Sequence, residues 1–120
     1  MILIVDDLDV NIFIFIRALK AYNEKCTAMG VNSIKEAKRL LTQVASIDLI
    51  LLDHNLVDES GELLAEFLDI YYPDIPYVYI STSPDLHLGK AKNTRNLGKL
   101  FTVAFFESLA QETGINVKDI

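Results

Sequence analysis

Three aspartates stand where unbroken apolar runs end. Ile2-Leu3-Ile4-Val5 leads straight into Asp6 and Asp7, and Leu49-Ile50-Leu51-Leu52 ends on Asp53. Consecutive apolar positions of this kind mark strands buried on both faces of a parallel sheet. In an open parallel sheet, ligands bind beyond the carboxyl ends of the strands, so the three acids converge there. Carboxylates brought together repel unless a cation or a proton lies between them. A hard divalent cation is the natural partner. Mg²⁺ takes oxygen ligands, keeps several waters, and is commonly held by one or two carboxylates plus a phosphate. A carboxylate beside such an ion is also a nucleophile toward phosphorus, giving an aspartyl phosphate. That attack needs charge neutralisation and in-line positioning more than acid–base chemistry. Asp53 is the candidate nucleophile. Ser81, after a later apolar run, is the hydroxyl that could donate to a phosphoryl oxygen, and Thr82 beside it is the alternative. Taken singly, the Asp6-Asp7 pair could cap the following helix and Asp53 could be a turn residue. The constellation is more specific than its parts.

The elements that must position these residues alternate. Asp9 to Tyr22 is helix-compatible, with Asp9 a plausible cap, and Lys25 to Met29 is a weaker strand stopped by Gly30. Ser33 and Glu36 have capping-box spacing before an apolar stripe of Ile34, Ala37, Leu40 and Leu41. After Asp53, Gly61 precedes a helix carrying Leu63, Leu64, Phe67 and Leu68, which Pro73 ends. A strand follows at Tyr77–Ile80, then a helix at Leu86–Leu97, a last strand at Leu100–Ala104 and a last helix at Phe106–Glu112. The βα alternation predicts an α/β domain, a parallel sheet covered on both faces by helices with right-handed crossovers.

Composition excludes several classes. The 120 residues fit one domain, 1–120, with 51% hydrophobic and 23% charged residues, which suits a globular core and not disorder. Eleven Lys and Arg against 17 Asp and Glu give a formal net charge of −6, which disfavours direct nucleic-acid binding. No apolar stretch reaches the roughly 18 residues that a membrane span needs, and no signal peptide is visible, so a soluble cytoplasmic protein is expected. The single cysteine, Cys26, has no CxxC partner and reads as a buried apolar residue.

ILIVDD at the start, LILLDHNLVDESGELL in the middle and IPYVYIS later resemble the receiver domain of two-component response regulators over nearly the whole chain. Such domains carry a glycine eight residues after the phosphoacceptor, and Gly61 stands eight after Asp53. The resemblance implies a flavodoxin-like (βα)5 doubly wound open parallel sheet of strand order 2-1-3-4-5. It implies Asp53 as phosphoacceptor, and Mg²⁺ held by the side chains of Asp7 and Asp53, by Asp6 mostly through water, and by the backbone carbonyl of Asn55. Ser81 becomes the switch hydroxyl, with Thr82 as its alternative or as a side chain narrowing the pocket. Phe101 becomes the switch aromatic, or else a core strand residue. The implied partner is a histidine kinase or histidine phosphotransfer protein, with output by protein contact; the chain is a phosphoacceptor and not a turnover enzyme.

The chain also departs from the pattern. With a last strand at Leu100–Ala104, Ala104-Phe105 takes the place of the usual lysine and proline, and Lys99 precedes the strand. The missing lysine motivates an alternative, a pseudo-receiver working as a phosphorylation-independent interaction module. An Asp-nucleophile phosphohydrolase fits poorly, because His54-Asn55 follow Asp53 where that class has a second acid. His54 is expected to point to the other side of the strand end. In the first helix, Ile14, Phe15, Ala18, Leu19 and Tyr22 are expected to face the core, leaving Ile12, Phe13 and Ile16 as a partner surface.

Overall fold

The computed structural model describes residues 1–44, 46–56, 59–81, 96–98 and 101–120. In chain order the elements are β1 (Ile2–Val5), α1 (Asp9–Tyr22), β2 (Ala28–Val31), α2 (Ile34–Gln43), β3 (Leu49–Asp53), β4 (Asn55–Leu56), β5 (Glu59–Ser60), α3 (Gly61–Tyr71), β6 (Tyr77–Ser81), β7 (Asn96–Gly98) and α4 (Val103–Thr113). A short 3₁₀ turn, Val117–Asp119, follows. The main sheet runs β2-β1-β3-β6-β7, parallel throughout. With the two-residue pair β4–β5 set aside, this is the expected order 2-1-3-4-5.

Alternation along the strands divides the core in two. Ile2, Ile4, Leu49, Leu51, Val78 and Ile80 face α1 and α4, where Phe15, Leu19, Phe105, Phe106 and Leu109 are buried against them. Leu3, Val5, Ile50, Leu52, Tyr77 and Tyr79 face α2 and α3, meeting Ile34, Ala37, Leu41, Leu64 and Leu68. Helices therefore cover both faces, as the alternation required. Cys26 is fully buried on the α1/α4 side, and burial pushes its thiol pKa up. Among the described residues no helix is long and apolar enough to cross a membrane.

Five elements differ from the sequence reading. β2 is Ala28–Val31, with Gly30 inside it and not ending it. Pairing to β1 from Ile2↔Ala28 to Val5↔Val31 sets that register. A Cβ on Gly30 would lie 2.2 Å from Ile12 Cγ2, so this glycine makes room for α1. The hairpin β4–β5, pairing Asn55 with Ser60 and Leu56 with Glu59, was not anticipated.

The last strand is Asn96–Gly98, not Leu100–Ala104, and Asn96 and Leu97 belong to it and not to a helix. Asn and Gly are poor strand formers, so this strand owes its form to parallel pairing with β6, Tyr79↔Asn96 to Ser81↔Gly98. The rest of the expected Leu86–Leu97 helix, residues 86–95, lies outside the described residues. FTVAFF instead opens α4. The Thr102 side chain accepts from the Phe105 N–H, and Phe105, Phe106 and Leu109 form the inward stripe. Ala104 is exposed in the first turn of that helix.

Candidate functional site

The sheet register brings the acids together. Val5 pairs with Leu52, so Asp6, the next residue along, lies level with Asp53 at the end of the neighbouring strand. One carboxylate oxygen from each of Asp6, Asp7 and Asp53 lies within 4.8 Å of the other two. Asp6 is fully buried and Asp53 is 5% exposed, while Asp7 is half-buried. Buried carboxylates at this spacing demand positive charge. The donor set, three hard oxygens with one acid open to water, fits Mg²⁺.

Asp6 is held in place from α1. Its Oδ1 accepts the Leu8 N–H at 2.9 Å, and the Asn11 side-chain amide reaches both carboxylate oxygens at 3.3 Å. Hydrogen bonds to a charged group are worth about 1.5–3 kcal/mol each. Asn11 was missed in the sequence, although an amide in the first turn of a helix that follows an acidic pair was a signal worth reading. Asn32 links the next strand end to this corner, donating to the Asp6 carbonyl at 3.4 Å and to Asp9 Oδ1 at 2.6 Å. Asp9 therefore does not cap α1; Leu8 occupies the cap position.

Asp53 is fixed from the other side by Gly61. The Gly61 N–H donates to the His54 carbonyl at 2.8 Å. A Cβ on Gly61 would sit 2.3 Å from the Asp53 carbonyl oxygen and 3.3 Å from His54 Cα. The glycine is needed for space: α3 starts against the backbone of the strand end. Asn55 opens β4 two residues after Asp53. Ser81 ends β6, one residue beyond Ile80, the register partner of Asp53. Thr82 lies outside the described residues.

His54 lies on the opposite side of the strand end from the acids, as expected. Its ring meets Tyr79 edge-on with centroids 5.7 Å apart, on the α2/α3 side, and Nε2 lies 3.9 Å from Glu62 Oε1. Burial, together with the Glu62, Asp69 and Glu66 carboxylates, pushes the Tyr79 hydroxyl pKa well up, so Tyr79 stays neutral.

Two other expectations are corrected. Phe101 is not on the last strand. It follows β7, and its ring packs edge-on against Phe15 at 5.1 Å and Phe105 at 4.9 Å. In α1 the face is rotated from the one expected: Phe15 and Leu19 are buried, with Ile12, Ile16, Ala18 and Tyr22 packed beside them. Ile14 is 48% exposed, and Phe13 is 59% exposed with the Arg17 guanidinium 5.7 Å from its ring. The Asn11–Asp6 bonds and the space above Gly30 that takes Ile12 fix this rotation. The exposed apolar surface is thus Val10, Phe13 and Ile14, and of the expected trio only Phe13 belongs to it.

With no family model matching the chain and no curated protein matching it, the relevant likeness is structural. The chain is similar to a CheY-like response regulator receiver domain from Methylobacillus flagellatus, with TM-score 0.76 and 24% identity over 93% of this chain and 96% of that one. This is the receiver-domain fold. SdrG from Sphingomonas melonis Fr1 shares it, with TM-score 0.75 and 24% identity over 96% of each chain. A response regulator receiver protein from Pseudomonas putida is 27% identical over 67% of this chain and 65% of that chain, with TM-score 0.61. Within the receiver fold, the acidic cluster described above sits at the carboxyl ends of the central strands, where open parallel sheets bind ligands.

Proposed function

We propose that residues 1–120 act as one receiver unit that accepts a phosphoryl group on Asp53 from a histidine kinase or histidine phosphotransfer protein and signals by protein contact. The observation that carries this reading is the meeting of Asp6, Asp7 and Asp53 within 4.8 Å at neighbouring strand ends, two of them buried. In the transfer, an Asp53 carboxylate oxygen bonds to phosphorus as the P–N bond to the donor imidazole breaks, and the leaving imidazole regains its ring electron pair. Mg²⁺, held by Asp7 and Asp53, by Asp6 through water and by the Asn55 carbonyl, would neutralise charge on the phosphoryl oxygens. Ser81, next in sequence to the Asp53 register partner, would supply the hydroxyl that follows the phosphoryl group, with Thr82 as its alternative.

Ala104 lies in a helix, so its lack of charge says nothing about the strand end; Lys99 follows Gly98 in the sequence and lies outside the described residues. We propose that Lys99 would take the role of the family's strand-end lysine, pairing with the phosphoryl group once it is on Asp53. The alternative reading, a pseudo-receiver that works without phosphorylation, predicts instead no phosphoryl adduct on Asp53. Lys99→Ala should reduce the rate of phosphoryl transfer to Asp53 by about tenfold or more, since a charge-assisted hydrogen bond is worth about 1.5–3 kcal/mol. Stopped-time intact-mass measurements check this; an unchanged rate would return the lysine role to the unassigned.

Phe101, whose ring packs edge-on against Phe15 and Phe105, is the proposed switch aromatic, acting from the turn before α4. For partner docking, Phe13→Glu is the substitution that probes the α1 surface without disturbing core-packed Ile12 and Ile16. The reading as a whole is tested by thermal unfolding with beryllofluoride. A ligand that binds the native state raises its stability, so Mg²⁺ and beryllofluoride together should raise Tm in the wild-type protein and not in Asp53→Asn. No rise in the wild-type protein would count against the reading.

A further inference from the structure

The hairpin β4–β5 has two residues in each strand. A hairpin so short has no stability of its own, so its shape must come from what it is fastened to. One anchor is Leu56, which is buried in the same core as Ile34 at the start of α2. The other is Glu59. Its Oε1 accepts the Ile34 N–H at 2.9 Å, a contact spanning 25 residues of sequence.

The contact fills a gap in the capping of α2. Ser33 is the N-cap residue, and its side chain accepts from the Glu36 N–H at 3.2 Å. Glu36 does not complete a reciprocal capping box; its carboxylate instead pairs with Arg39 at 2.7 Å. The Ile34 N–H, in the first turn, is left for Glu59. A carboxylate is favoured there because helix N-termini carry partial positive charge.

We propose that Glu59 is a positioning residue for the metal site. Through the hairpin, its hold on α2 sets where Asn55 presents its backbone carbonyl next to Asp53. The proposal rests on the Mg²⁺ site described under Proposed function. Coupling of this kind is reciprocal: if Glu59 helps to place the metal-binding loop, metal binding must tighten the Glu59 contact at Ile34. Glu59 thus ties the strand end that carries Asp53 to α2.

The test compares Mg²⁺ affinity by calorimetric titration in the wild-type protein, Glu59→Gln and Glu59→Ala. Gln keeps a neutral acceptor at the same reach and should bind Mg²⁺ nearly as well as the wild type. Ala should bind about fivefold more weakly, equivalent to about 1 kcal/mol. Amide exchange supplies a readout that a merely structural cap would not move. Mg²⁺ should slow exchange at Ile34 in the wild type and Glu59→Gln but leave it unchanged in Glu59→Ala, whose fold is checked by the protected amides of Leu49–Leu52. Equal Mg²⁺ affinity in Glu59→Ala and wild type, or Ile34 exchange that ignores Mg²⁺, overturns the role of Glu59 alone. No Mg²⁺ binding by the wild-type protein overturns the site reading and this proposal together.

Discussion

Replacing Gly61 with alanine is expected to cost the fold about 3 kcal/mol or more and to displace Asp53 at the same time. The added Cβ would fall 2.3 Å from the Asp53 carbonyl oxygen, and the obstacle is backbone, which has no rotamer to change. Either α3 moves off the strand end or the strand end moves. In both cases the bond from the Gly61 N–H to the His54 carbonyl is strained or lost. Urea unfolding should show the midpoint falling sharply, and Mg²⁺ affinity should fall with it. Gly114→Ala is the informative control. Gly114 caps α4 with φ of 73°, and among the described residues nothing beyond its chain neighbours and its own helix lies within 4 Å of where its Cβ would be. Only backbone strain of about 1–2 kcal/mol is added there, and Mg²⁺ affinity should not change. Equal effects of the two substitutions would mean that Gly61 has no special relation to the site.

Asp53→Asn should reverse its effect on stability according to whether Mg²⁺ is present. Without the ion, three carboxylates within 4.8 Å repel one another, two of them in a buried setting. Neutralising one should raise stability by about 1 kcal/mol or more, since unit charges 4 Å apart interact by roughly 4 kcal/mol at an effective dielectric of 20. With Mg²⁺ at about 100 times its dissociation constant, the wild-type protein gains about 2.7 kcal/mol. The variant, lacking a ligand and a charge, gains little. The wild type should then be the more stable of the two. Denaturant titrations with Mg²⁺ and with a chelator measure both differences. A variant that tracks the wild type under both conditions would remove Asp53 from the cation site.

The centre of this molecule was legible because its physics is local. Ile2–Val5 and Leu49–Asp53 are buried on both faces, so every residue of each run is apolar until the strand ends, and the acids stand out against them. The edge of the sheet was not legible. Asn96-Leu97-Gly98 has little strand character and is made a strand by β6 beside it, while the aromatic, β-branched FTVAFF imitates a strand but is capped into a helix by Thr102. That one misplacement moved the end of the last strand six residues, from Gly98 to Ala104. The rotation of α1 was hidden for a related reason. Almost every residue from Val10 to Ile16 is apolar, so periodicity has no contrast, and Asn11 and Gly30 decide which side turns inward. Glu59 was out of reach because its partner is 25 residues away and the hairpin that joins them has no sequence signature.

The central claim is that Asp53 accepts a phosphoryl group with the help of a divalent cation. Its most direct measurement is intact mass after incubation with a small phosphodonor, with Mg²⁺ and with a chelator, in the wild-type protein and Asp53→Asn. The account predicts a single hydroxylamine-labile phosphoryl adduct in the wild-type protein with Mg²⁺, and none in the chelator or in the variant. An adduct that persists in Asp53→Asn, or none in the wild-type protein with either a small donor or a histidine phosphotransfer partner, would contradict it.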